Sequence, residues 1–313
     1  VTFAKFRRKS RAAIVLMAVS ALGTGLVPAS HAAADLALED PGGKAGNALV
    51  NPADFPKLTP EQLAARVAEE QERKADAPET TEPFVELTSQ EILADGRLRV
   101  SIHTLAPGAN PEEVAETLRK QGEKNVQVTR DAAPRPEEPG PQPLGSGDCA
   151  YGSARTITCP NAWWPNIGRR NPVVLFNDHS SADWPTTNAV YKWNQTPNID
   201  SWYTWNNCNQ VAVNCVDVWS GNYGGNGWMG NPTITFNWGQ RSGEMIGADV
   251  ELNQYYSPTT WTRDHVVTHE LGHVLGLGHN IWSGDVMYTS PNLREDIGGE
   301  NPALLAQVYS IDR

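Results

Sequence analysis

The 313-residue chain carries no cysteine and no tryptophan until Cys149, although four Cys and eleven Trp follow, and it has a single lysine, Lys192, beyond position 147. Charged residues make up only 19%, too few for a coiled coil. No apolar run reaches the roughly 20 residues that a membrane span needs. An excess of basic charge is missing as well. The formal net charge is −11, so nothing neutralises phosphates in bulk, and nucleic-acid binding is excluded as a class. Neither a phosphate-cradling glycine loop nor a Ser or Cys nucleophile with its base is visible.

What is present falls into three compositions. Residues 1–32 carry net +5, residues 33–147 net −9 and residues 148–313 net −7, the pattern of a precursor. In the first, Lys5, Arg7, Arg8, Lys9 and Arg11 precede an apolar stretch, Ala12–Val27, and the small residues around Ser30-His31-Ala32. This reads as a secretory signal peptide, residues 1–32, and it predicts an extracellular protein with no membrane attachment after cleavage. Export makes Cys149, Cys159, Cys208 and Cys215 an expected pair of disulfides. Of three pairings, the sequential one, Cys149–Cys159 with Cys208–Cys215, closes two short loops and is preferred. A zinc site built from all four cysteines lacks any Cys-x2-Cys pair.

Residues 33–130 read as a pro-region with a small α/β fold. Thr59 and Pro60 open a helix that runs to Gln71, Leu98–Ile102 alternates as a strand, Asn110 caps a helix to Lys120, and Asn125–Thr129 forms another strand. Such a unit serves as a folding aid or as an inhibitor of the C-terminal region. Residues 131–147 hold five prolines and three glycines, a linker open to proteolysis.

The chemistry lies in residues 148–313, in the run His269-Glu-Leu-Gly-His-Val-Leu-Gly-Leu-Gly-His279. Residues four apart share a helix face, so His269 and His273 can point at one metal ion. Glu270, about 100° further round, stands beside that ion in the place of a general base. His279 would face away if the helix continued. The helix must therefore stop, and Gly276 is where positive φ costs little. Counting background residue frequencies, these five residues at these offsets arise by chance in about one chain in 100,000 of this length.

This run resembles the zinc signature of the metzincin metallopeptidases, and Gly284-Asp-Val-Met-Tyr288 resembles their Met-turn in its matrixin form. The resemblance is to a matrixin-like, secreted bacterial type. It implies one catalytic zinc held by His269, His273 and His279, Met287 as the floor beneath it, Glu270 as general base acting on a zinc-activated water, and Tyr288 as a candidate oxyanion partner. The implied function is a zinc-dependent endopeptidase acting on proteins or peptides, expected as a monomer. The implied fold is α+β: a twisted mixed sheet, an active-site helix and a C-terminal helix. Its antiparallel edge strand would bind an extended peptide, and the sequence leaves open which strand that is. Matrixins commonly hold their pro-region on zinc through a cysteine, which residues 33–147 lack.

Strands are expected at Val173–Phe176, Val216–Trp219, Thr233–Phe236 and Ala248–Leu252, with helices over Thr186–Asn194 and Asn301–Tyr309, the latter capped by Asn301. Other residues invite weaker readings. His265 could tune the site from behind, and Glu295 lies where another peptidase class draws a ligand. Asp178, Asp183, Asp217, Asp249 and Glu251 could include Ca2+ ligands. Trp163, Trp164, Trp202, Trp205 and Trp228 suggest an alternative, a carbohydrate-binding module; a zinc hydrolase of non-peptide amides is a further one.

Overall fold

The computed structural model describes residues 50–77, 84–131, 149–158, 161–205, 208, 213–237 and 243–310. The expected signal peptide, nearly all of the expected linker and Cys159 lie outside them. The described chain is mixed α+β. In order it forms α1 (Pro60–Asp76), β1 (Phe84–Ile92), β2 (Leu98–Leu105), α2 (Pro111–Gln121) and β3 (Gln127–Asp131), then the short hairpin β4 (Ala150–Tyr151) and β5 (Ala154–Arg155). There follow β6 (Val173–Asp178), α3 (Thr186–Asn194), β7 (Asp200–Thr204), β8 (Asn214–Gly221), β9 (Trp228–Phe236), β10 (Met245–Asn253), α4 (Thr260–Val274) and α5 (Glu300–Val308).

Eight strands make one mixed sheet in the order β3-β1-β2-β9-β10-β8-β6-β7. β10, β8, β6 and β7 run parallel; β9 turns antiparallel to β10, and β2, β1 and β3 continue antiparallel. The sheet therefore draws strands from both sides of the Pro/Gly-rich segment. β6 is buried at all six positions, which is why Val173-Val-Leu-Phe reads as a continuous apolar run rather than an alternation. α3 and α4 cover the same face. The Trp193 indole donates to Thr268 O at 2.8 Å, and Lys192 pairs with Asp264 at 2.7 Å, tying the two helices together.

Local signals set most helix starts. Thr59 accepts from Gln62 N at 3.2 Å while Gln62 Oε1 accepts from Thr59 N at 2.9 Å, a reciprocal cap that starts α1. Asn110 opens α2 by accepting from Glu112 N, and Gly122 closes it at φ 101°. β3 starts two residues later than the alternation suggests, because Asn125 takes φ 45° and donates its amide to Gln90 O. α5 departs from expectation as well. Asn301 does not cap it: the N-cap is Gly299, and the N–H groups of Gly299 and Glu300 donate to the Glu70 carboxylate of α1 at 2.6 and 3.0 Å. A carboxylate at a helix N-terminus satisfies orphan donors and meets the positive end of the dipole.

Cys208 and Cys215 form a disulfide with Cα atoms 5.8 Å apart. The expected Cys149–Cys159 pairing involves a residue outside the described ones. Among the described residues no helix is long and apolar enough to cross a membrane.

Candidate metal centre

α4 is built to present its face and then stop. Thr259 caps it by accepting from Thr262 N at 3.2 Å. At the other end Gly276 N–H bonds to His273 O and Leu277 N–H to Gly272 O, with Gly276 at φ 114°. This is the crossed pair of bonds that closes a helix through a left-handed residue. A Cβ at Gly276 would also lie 2.8 Å from Ala162 O. Two side chains take up further carbonyls at this end: the Trp164 indole donates to Val274 O at 2.7 Å and the Tyr309 hydroxyl to Leu275 O at 2.8 Å. Gly278 then runs against the backbone of residues 155–157, where a Cβ would meet Thr156 O at 2.9 Å. The chain turns back and His279 faces the helix.

The result is three buried imidazoles whose ligand atoms all lie within 4.8 Å of one another. Ring centroids are 4.6 Å apart for His269 and His273, 4.7 Å for His273 and His279, and 5.3 Å for His269 and His279. Each ring is held from behind by its Nδ1. His269 Nδ1 donates to Val286 O at 2.6 Å, His273 Nδ1 to Leu277 O at 2.8 Å, and His279 Nδ1 to Glu86 Oε1 at 3.1 Å. Burial, reinforced by the neighbouring imidazoles, pushes His269 and His273 well below the ordinary histidine range. Their rings are therefore neutral, with the proton on Nδ1 and a lone pair on Nε2. Those two Nε2 atoms face each other at 3.0 Å, and two acceptors at that distance cannot bond to one another. His279 Nε2 is buried with no hydrogen-bond partner. A cation is the group that three converging lone pairs accept, and a trio of imidazoles with carbonyl and carboxylate partners behind it suits zinc.

Glu270 is fully buried beside them, and both of its carboxylate oxygens lack a hydrogen-bond partner. Burial pushes its pKa up to about 8. The Thr104 hydroxyl of β2 faces the carboxylate and offsets this slightly, without reaching hydrogen-bonding geometry. On the other side the carboxylate lies flush against Gly230 of β9, where a Cβ would sit 2.0 Å from Oε1. Any side chain at position 230 would displace Glu270.

Met287 packs under the helix. A Cβ at Gly272, between the two helical histidines, would meet its Sδ at 2.4 Å. The turn carrying it is held by Asp285, whose Oδ1 accepts from Met287 N at 2.7 Å and from Asn301 at 2.8 Å. Asn301 is thus spent on this turn. Burial, with the nearby Glu70 charge, pushes the Asp285 carboxyl up to about 7. Tyr288 is buried next to Met287.

Of the weaker sequence readings, His265 sits closest: its ring is 5.9 Å from His269, and its Nδ1 bonds to Arg294 O at 2.7 Å. Glu295 faces Lys192 at 3.9 Å. Of the five acidic candidates for Ca2+, Asp178 binds Ser180 and Asp183 faces Arg263, while Asp217, which binds Asn177 and His179, stands opposite Asp249 on the paired strand, two residues before Glu251. Trp163, Trp164 and Trp228 are buried, so they are core residues rather than a stacking surface, and Trp202 belongs to β7. Sequence reasoning passed over Glu86, Thr104, Gly230 and Asp285. Only Asp285 carried a local signal, since it stands inside the Gly284–Tyr288 run. No protein-family model matches the chain, and no curated protein matches it.

Proposed function

We propose that the protein is a secreted zinc-dependent endopeptidase of metzincin type, matrixin-like, and that His269, His273 and His279 hold its metal. The observation that carries this is the convergence of three buried imidazoles, each with its Nδ1 engaged, beside a buried carboxylate with no partner of its own. A zinc ion held there supplies a Lewis acid for a carbonyl and lowers the pKa of water towards 7. Glu270 takes a proton from the attacking water and passes it to the leaving amine. Burial alone favours the protonated carboxyl, and the charge of a cation held by the histidines would favour the carboxylate, the form a base needs. Gly230 keeps the carboxylate pressed to the helix side of β9. β9 is the strand onto which an extended peptide would add, because it is antiparallel to β10 and lies directly against Glu270. Met287 closes the apolar floor, and Asp285 fixes the turn that carries it.

The test is a digestion of denatured proteins with new termini read by mass spectrometry. The zinc-loaded chain is used uncut, cut within residues 131–147, and cut, stripped of the pro-region in urea and refolded with zinc. A Glu270→Ala chain is treated identically. We expect new termini from the stripped protein that vanish in the variant. Identical termini from both proteins under all three treatments, with zinc bound, would overturn the proposal.

A further inference from the structure

An antiparallel strand with a free edge beside a catalytic helix invites an extended chain to add to it by backbone hydrogen bonds. In this molecule that edge is taken. β2 pairs along β9 with Leu98 opposite Phe236, Val100 opposite Ile234, Ser101 opposite Thr233 and Thr104 opposite Gly230. The last pairing falls on the glycine that touches Glu270. Thr104 is fully buried there, facing the carboxylate. Leu98, Val100 and Ile102 point the same way and share an apolar cluster with Val266, Leu271 and Met287. β1, the other half of the hairpin, brings Glu86 to His279 Nδ1 and sets the Phe84 ring edge-on to His279 at 6.4 Å. The hairpin thus covers the carboxylate and the third histidine at once.

We infer that residues 84–105 are a plug that closes the site by adding a strand to β9, so that the chain is kept latent by occupation of the peptide-binding edge and not by a cysteine on the metal. Latency rests on the endopeptidase reading; the occupation of β9 does not. The segment that precedes the plug has anchors far from the site. Lys57 pairs with Asp200 at 2.9 Å and donates to Thr196 O at 3.0 Å, and Glu70 and Lys74 of α1 engage the start of α5. Ser101 and Thr233 hydroxyls bond at 2.8 Å across β2 and β9. A cut within residues 131–147 therefore leaves the pro-region bound, and activity waits until it dissociates or is destroyed.

The experiment follows the zinc-loaded full chain, uncut and after a cut within residues 131–147, beside Ile102→Asp and the milder Ile102→Ala. Peptide hydrolysis and hydrogen exchange of the amides of residues 228–236 are read on each. Ile102 carries no ionisable or metal-binding group and is buried in the apolar cluster. In the uncut Ile102→Asp chain we expect both hydrolysis and amide exchange to rise roughly tenfold or more, because losing a buried isoleucine shifts an opening equilibrium by at least that factor. The cut, unsubstituted chain should stay slow by both readouts. If Ile102→Asp does not fold, the same rise in Ile102→Ala, smaller in size, serves. Hydrolysis by the unsubstituted uncut chain as fast as by the variants, or a cut that gives full hydrolysis while the β9 amides stay protected, would overturn the plug. Faster amide exchange in the variants with no hydrolysis from any form would support strand occupation and sink the endopeptidase reading instead.

Discussion

Two buried clusters of ionisable groups lie on either side of the Met287 turn, and they are built on opposite principles. In one, Asp285, Glu70 and Glu300 crowd together with Lys74, and most of their oxygens meet donors: Met287 N and the Asn301 amide for Asp285, the Gly299 and Glu300 N–H groups for Glu70 Oε2, and Ser153 N at 2.6 Å for Glu300, while Glu70 Oε1, without a hydrogen bond, faces the Lys74 ammonium at 3.0 Å. In the other, three imidazole Nε2 atoms and both oxygens of Glu270 meet no donor at all. Buried polar groups satisfied within the chain hold structure together; buried acceptors left facing one another mark a demand for something from outside. The first cluster docks α1 and fixes the turn. The second is the candidate metal centre.

That contrast can be broken from either side. The largest effect should come from Glu270→Ala, which removes the base without touching a ligand. Hydrolysis by the pro-region-free protein should fall by about 10²–10⁴-fold while zinc stoichiometry, read by metal analysis, stays unchanged. Next comes Asp285→Ala. It strands the Asn301 amide and the Met287 N–H in a buried site, so urea unfolding should show a loss of about 3 kcal/mol. The same carboxyl gives the pH dependence. Its value of about 7 lies above the ordinary aspartate value, so between about pH 4 and pH 7 the folded chain holds the extra proton and the unfolded chain does not. Stability from this group is fully present below about pH 4 and lost as the pH rises to about 7. Unfolding midpoints across that window should flatten in Asp285→Asn relative to the parent. The smallest effect is expected from Thr59→Ala, which removes the cap of α1 and should cost about 1 kcal/mol, measured as a small shift in the urea midpoint.

What the sequence made legible was local. The convergence of His269, His273 and His279, the stop at Gly276 and the start of α1 at Thr59 depend on residues a few positions apart, and each is where its spacing predicts. The rest depended on partners distant along the chain. Asn301 followed by Pro302 reads as a helix cap, but Glu70, 230 positions from Glu300, supplies the acceptor and frees Asn301 for Asp285. Glu86 stands 193 positions from His279, so no spacing rule could have joined them. Leu98–Ile102 was readable as a strand, whereas its pairing with β9 was not, because alternation tells which face is buried and not which neighbour lies alongside. Three of the five tryptophans that suggested a stacking surface, Trp163, Trp164 and Trp228, lie in the core, and their packing partners stand far along the chain, where spacing gives no sign of them.

The most direct measurement is a titration of the metal-free full chain with cobalt(II), followed in the visible absorption, which responds to a tetrahedral nitrogen-rich site. His273→Ala is titrated beside it. We expect a spectrum that saturates at one ion per chain, is displaced by zinc, and is lost in the variant while the variant's fold is retained. A parent chain that binds no ion, or a variant that binds as well as the parent, would contradict a metal centre at these three histidines.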